Sequence, residues 1–224
     1  MAVSQEIYPR KSPRQARSAA TVAVILDATV QVLVGQGFGA LTTARVAQRA
    51  GVSVGSVYQY YPNKQALLIA VLERHLDQIM RAMEDACAGL RGKPLLDMAQ
   101  TVVQTYVAAK LRQPEVSRAL YALPSDVATD AIVARIMARG QLAACDMLAS
   151  CGDARFVEPS VVAAVWTGAL MGPVQMMLTG ATPLERADAV TRHMTALSTA
   201  YLQAVALPLG VRLSPASQNH QETP

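Results

Sequence analysis

The sequence predicts an all-α protein: an N-terminal helix-turn-helix unit of three helices, followed by a larger helical domain. Three observations carry this. Apolar residues recur at three- and four-residue spacing along most of the chain, and no run alternates apolar and polar residues as a half-buried strand does. Pro114, Pro124, Pro159 and Pro183 each stand near the start of such a pattern, where a residue without an N–H does least harm. The stretch 41–64, LTTARVAQRAGVSVGSVYQYYPNK, bends two short helical patterns about one glycine.

Within that stretch Thr42 and Ser53 are placed to cap the two helices, each hydroxyl accepting from an otherwise unpaired backbone N–H. Gly51 suits the left-handed position that ends the first helix, because it has no Cβ to clash there. Val46, Ala47, Ala50, Val52 and Val57 supply the buried contacts. Val54, Gly55, Ser56, Tyr58, Gln59 and Tyr60 are left facing outward, so the second helix has a face free to touch another molecule.

Helix-turn-helix units set the start of the second helix in the DNA major groove. The residues Leu41-Thr42-Thr43, Ala47, Ala50-Gly51-Val52-Ser53, Val57-Tyr58, Tyr60-Tyr61 and Asn63-Lys64, followed by Ala66-Leu67, resemble the DNA-binding segment of the TetR family of transcriptional regulators. The resemblance covers about the first third of the chain and, beyond it, only the general layout. It implies phosphate contacts from Thr43, Tyr58 and Lys64, with Ser56 and Tyr60 as further contacts. Gln59 is the expected base reader, since an amide can pair with adenine N6 and N7 together. Val54 suits a thymine methyl, Gly55 permits close backbone approach, and Arg45 follows Ala44 where some members carry a long polar side chain.

Charge follows the same division. Up to Lys64 there are seven basic and two acidic residues, a net of +5, leaving −1 for the remainder of a chain whose total is +4. A basic domain joined to a near-neutral one fits double-stranded DNA as the partner of the first part. Residues 1–18 read as a flexible basic arm in which Arg14 and Arg17 are candidate DNA contacts. Residues 208–224, rich in Pro, Ser, Gln and Asn, read as a disordered tail.

Residues 19–64 are thus expected to form the DNA-binding domain and residues 65–207 an effector-binding and dimerisation domain, in which 65–89 is a long connecting helix capped by Asn63. In the family this helix transmits ligand occupancy to the recognition helix. Further helices are expected at about 95–111, 114–123, 126–150, 160–178 and 183–207. The uncharged run 159–184 is long enough to raise a membrane span. Thr167, Gln175, Thr179 and Pro173 dilute it and no basic cluster flanks it, so no membrane is expected and the helix is read as an interface or core element. Val161, Val165, Gly168 and Gly172, with Ala189, Met194, Leu197, Ala200, Tyr201 and Ala204, suggest a four-helix homodimer interface made by the last two long helices.

His75, Tyr106, Tyr121, Met137, Trp166, Met171, Gln175 and Met176 are the candidate residues for a small-molecule effector site, Trp166 foremost. They suggest an apolar or amphipathic ligand. Cys87, Cys145 and Cys151 lack metal or disulfide spacing, so reduced thiols in a cytoplasmic protein are expected, with no cofactor and no metal. The run Gly51-Val52-Ser53-Val54-Gly55 matches a nucleophile-elbow pattern, but a helix precedes it where a buried strand is required. The expected function is a dimeric, ligand-released repressor acting on a pseudo-palindromic operator. An activator or architectural DNA-binding protein without an effector is the alternative, and a hydrolase using Ser53 the remote one.

Overall fold

The computed structural model describes residues 16–123 and 127–209. Its described residues form α1 (Ala16–Gln36), α2 (Thr43–Ala50), α3 (Val54–Tyr60), α4 (Lys64–Gly89), α5 (Leu95–Leu111), α6 (Pro114–Tyr121), α7 (Val127–Ala149), α8 (Pro159–Leu178) and α9 (Ala187–Val205). Pro114 and Pro159 take the first position of α6 and α8, where the missing N–H costs nothing.

The helix-turn-helix follows from its caps. Thr42 Oγ1 accepts from Arg45 N to start α2, and Gly51 ends it in the left-handed region at φ 67°. Ser53 Oγ accepts from Ser56 N to start α3. Asn63 Oδ1 accepts from Ala66 N at 2.9 Å to start α4. Ile25, Val32, Leu41, Val46 and Val57 meet beneath these turns and are all buried.

The 26-residue α4 is the spine, about 39 Å long at 1.5 Å per residue. It packs against α1, then α5 and α7, so one apolar core runs continuously from Ile25 to Leu202. An ion pair of 2.8 Å between Asp27 and Arg74 ties α1 to α4. On the other side Arg139 of α7 grips Glu84 through two nitrogens and Asp77 through a third, at 2.7–2.9 Å. These carboxylates push the Arg139 pKa up and, through the same hydrogen bond, hold Asp77 below its ordinary value. The groups are about one-third exposed, so the network contributes only ~1 kcal/mol.

Three expectations change. Ala154–Arg155 (β1) and Leu207–Pro208 (β2) form a short antiparallel pair, so the structured chain runs past residue 207. Two-residue strands are too short to leave an alternating pattern in a sequence. Residues Leu184–Arg186 form a 3-10 turn, and α9 starts only at Ala187. α1 begins at Ala16, inside the expected arm.

By length and composition alone, α8 and Ser18–Gln36 of α1 are apolar enough to cross a membrane. α8 buries Val162, Trp166, Leu170, Val174 and Met177 against its neighbours. Its opposite face carries Val161, Val165, Gly168, Gly172 and Met176 in the open, beside exposed Leu197 and Ala200 of α9. Met194 lies on the buried side of α9, 4% exposed, and so leaves the set expected at the dimer face.

Candidate nucleic-acid interface and internal cavity

The caps that start α2 and α3 also settle which side chains leave the surface. Val57 is the buried residue of α3, while Val54, Gly55, Tyr58 and Gln59 are exposed. Thr43, at the start of α2, donates its hydroxyl proton to the Tyr58 hydroxyl oxygen at 3.2 Å. The Tyr58 oxygen accepts there, so its own proton points away from Thr43 and is free to bond outward. Ser56 is half-buried, its hydroxyl 2.8 Å from the capping Ser53 hydroxyl. Both serine hydroxyls serve the local turn, which explains the Gly-x-Ser-x-Gly pattern without catalysis.

Gly55 has open space around it: a Cβ there would meet nothing nearer than the Ser53 hydroxyl at 3.7 Å. Packing within the chain does not require glycine. Lys64 opens α4 at its positive end, where a cation is disfavoured by the helix dipole. Its Nζ lies 4.7 Å over the Phe38 ring, a cation–π contact that offsets part of that cost. Arg45 turns back, its Nη1 donating to the Ala40 carbonyl at 2.7 Å, so it braces the preceding turn instead of extending. Tyr60 is half-buried against the core and Tyr61 is buried at the corner before α4. Burial pushes the Tyr61 phenol up to about 12, so it stays protonated. Arg14 lies outside the described residues, and of Arg17 only the backbone, in the first turn of α1, is described.

Behind this surface, α4, α5, α6 and α7 line a half-open pocket of about 180 Å³, reaching Met171 of α8. Of the candidate effector residues, His75, Tyr121, Met137 and Met171 line it. Tyr106 lines a smaller space of about 50 Å³ that shares Met137 and Met171 with it. Trp166, Gln175 and Met176 line neither. Trp166 is fully buried among core side chains, its indole N–H without an acceptor among the described residues. Gln175 and Met176 lie on the exposed face of α8. A helix apolar on all sides gives no periodic sign of which face turns inward.

His75 Nε2 lies 2.9 Å from Ser117 Oγ, and Ser117 donates its own proton to the Lys110 carbonyl at 3.1 Å. The serine proton being committed, the ring donates Nε2–H. Burial lowers the His75 pKa to about 4, helped by the Lys110 ammonium and Arg74, so the ring is neutral near pH 7. Lys110, 5% exposed, lines the same pocket and is not among the residues that the sequence singles out. Its signal was there: on α5 it continues the buried run Val103, Tyr106, Val107 at helical spacing, an apolar register that a lysine interrupts. A groove of about 410 Å³ lined by Phe38, Lys64 and Leu68 adjoins this cavity, sharing Leu72, Leu123 and Thr129.

Residues 25–71 match the profile of bacterial regulatory proteins of the tetR family, and residues 94–202 match that of tetracyclin repressor-like C-terminal domains. The chain belongs to the TetR family. Among curated relatives, the HTH-type transcriptional repressor KstR of Rhodococcus jostii is 31% identical over 96 residues, 43% of each chain. The chain spans less than half the length of the curated relatives it matches. Solved TetR-family structures align over far more. A regulator from Marinobacter aquaeolei is 26% identical with a TM-score of 0.58, over 85% of this chain and 97% of that one. One from Streptomyces coelicolor is 25% identical with a TM-score of 0.62, over 84% and 99%. These relatives are transcriptional regulators, not enzymes.

Proposed function

We propose that this TetR-family chain is a cytoplasmic, dimeric, DNA-binding repressor that a small molecule releases from a pseudo-palindromic operator. The observation that carries the reading is the outward face of α2 and α3. There Tyr58, Gln59 and Val54 stand exposed, beside a half-buried Thr43, around a glycine that internal packing does not demand. Gln59 reads a base edge, Val54 meets a thymine methyl, and Thr43, Tyr58, Ser56, Tyr60 and Lys64 hold phosphates. Gly55 lets the backbone approach. Arg45 acts on the turn or, after releasing Ala40, on a phosphate, and Arg14 and Arg17 supply the arm.

The exposed apolar face of α8 and α9 favours a homodimer, which sets two recognition helices about 34–36 Å apart to meet successive major grooves. His75 and Lys64 stand on one continuous helix, about 17 Å apart along its axis. An effector packed against His75, Tyr121, Met137 and Met171 therefore displaces the element that ends at the DNA surface. Release requires the ligand to favour the DNA-incompetent arrangement over the competent one.

Selection of bound sequences from random duplex DNA by the full chain tests this reading. A two-fold symmetric consensus supports it, and selection that enriches nothing over the starting pool counts against DNA recognition. A chemical screen on the resulting complex then tests release. Ligands that bind without changing operator affinity would favour the effector-free alternative.

A further inference from the structure

Lys110 stands where a lysine is costly. The whole residue is buried, and its Nζ donates to the Tyr121 hydroxyl oxygen at 3.2 Å and lies 5.1 Å from the centre of that ring. Among the described residues no carboxylate lies within ion-pair distance of it. Asp130 lines the same cavity but is exposed and makes no ion pair with it. His75, the other titratable group nearby, is neutral and spends its Nε2–H on Ser117. Burial alone lowers the Lys110 pKa, to about 8, which leaves the ammonium charged near pH 7. A buried cation without a counter-ion is expensive unless something completes it.

What faces this cation is a mostly apolar pocket, walled by Leu72, Leu76, Leu120, Val133, Met137 and Met171, with His75, Ser117 and Thr129 as neutral polar groups and Asp130 at an exposed position. Two kinds of donor converge on it. The ammonium keeps protons beyond the one it gives Tyr121, and the Tyr121 oxygen accepts from Lys110, so its own proton is free for a ligand. We infer that the effector is an amphiphilic monocarboxylate, its carboxylate held by Lys110 Nζ and the Tyr121 hydroxyl and its tail laid against Met137 and Met171. The inference rests on the effector-cavity reading above and narrows it to one class.

The chemistry selects that class. Lys110 is the one cation among the described residues of the lining and balances one negative charge, so a polyphosphate would bring charge that no described lining residue neutralises. A cationic ligand would meet the Lys110 ammonium head-on. A neutral alcohol or ester can hydrogen-bond but leaves the ammonium uncompensated, whereas a carboxylate makes charge-assisted bonds about twice as strong as neutral ones. The space of about 180 Å³ is below the 300–1,000 Å³ usual for ligand sites. The tail is therefore compact, or it spreads into the adjoining space by moving Met80, Met83, Met137 and Met171, whose unbranched side chains re-pack easily.

The test uses the full-length protein and titrates hexanoate, octanoate and decanoate against methyl octanoate and octanol near pH 7. Binding is read by calorimetry and by the fluorescence of Trp166, the chain's sole tryptophan, and operator release is followed in parallel. At least one acid should bind ~10–100-fold more tightly than the neutral analogues. Lys110→Met, which keeps the length of the stem and removes the charge, should erase that preference, and Lys110→Arg should retain part of it. Should Lys110→Met fail to fold, Tyr121→Phe takes its place, with a smaller loss confined to the acids. Equal affinity for acid and neutral analogues, or an acid preference that survives Lys110→Met, overturns the inference while leaving a neutral-ligand effector site standing. Binding by no member of the set overturns it as well, and the effector reading is then decided by the operator-release screen.

Discussion

The Thr43 hydroxyl is bonded to the Tyr58 hydroxyl at 3.2 Å, fastening the start of α2 to the outer face of α3. The two residues are fifteen apart in sequence and meet only because Gly51 turns the chain. Their bond is exposed, so Tyr58→Phe should change folding stability by less than about 1 kcal/mol. It removes a proton directed outward, so affinity for operator DNA should fall roughly fivefold, by about 1 kcal/mol. Urea unfolding and a DNA titration on the same preparation separate the two effects. An unfolding loss as large as the binding loss would make the pair purely structural.

Gly55→Ala inverts the usual expectation for a glycine at a functional turn. Beyond its chain neighbours and its own helix backbone, no atom of the described residues lies closer than 3.7 Å to the added Cβ, and alanine is the better helix former, by up to about 1 kcal/mol. The variant should melt at the same or a higher temperature and yet bind the operator about tenfold or more weakly, by ~1.4 kcal/mol. Unchanged DNA affinity would mean that the backbone at Gly55 does not approach the duplex.

Val165 and Leu197 are each about half exposed, 51% and 54%, on the apolar face of α8 and α9. Val165→Arg or Leu197→Glu should leave the fold intact while weakening the dimer by ~100-fold, the cost of an unpaired charge in an apolar contact. Sedimentation velocity over a concentration series reads this directly. A wild-type chain that stays monomeric at high concentration would remove the dimer from the account.

Stability should depend on pH in two windows of the same sign. His75 has a folded pKa of about 4 against an ordinary 6.5, so as pH falls from 6.5 to 4 the unfolded chain takes up a proton that the folded chain refuses. Stability is then full above 6.5 and lost on acidification, by roughly 3 kcal/mol at most. Lys110, with a folded value of about 8 against 10.5, binds its proton more weakly when folded, so stability should rise as pH climbs from 8 to 10.5. Denaturant melts of the wild type and of His75→Gln and Lys110→Met test both windows. His75→Gln should flatten the acid limb, and Lys110→Met the alkaline one. Removing the Lys110 charge should also move the His75 limb to higher pH.

The parts of the fold that sequence revealed are those fixed by short-range chemistry. Thr42, Ser53 and Asn63 each cap a helix through a bond three residues long, and Gly51 needs only its own φ. The apolar stripe of α4 was equally plain, because a surface-facing side contrasts with it. α8 offers no such contrast: Trp166 and Met176 look alike in a string, yet one is fully buried and the other half exposed. The β1–β2 pair joins residues more than fifty apart and has no local pattern. Lys110 was legible only as an exception to a buried register. Arg45 could be placed on α2, but its turn back to the Ala40 carbonyl depends on the intervening 3-10 turn, Phe38–Ala40.

The most direct measurement is fluorescence anisotropy of the full chain on a selected operator duplex, against unrelated DNA, across a salt series. The account predicts specific binding whose logarithm falls linearly with the logarithm of salt, by about 0.9 for each phosphate contact. Lys64→Ala should lower that slope by about one, and Gln59→Ala should cost ~1–3 kcal/mol of discrimination at one base pair while leaving the slope unchanged. Equal affinity for operator and unrelated DNA, with Gln59→Ala indistinguishable from wild type, would contradict it.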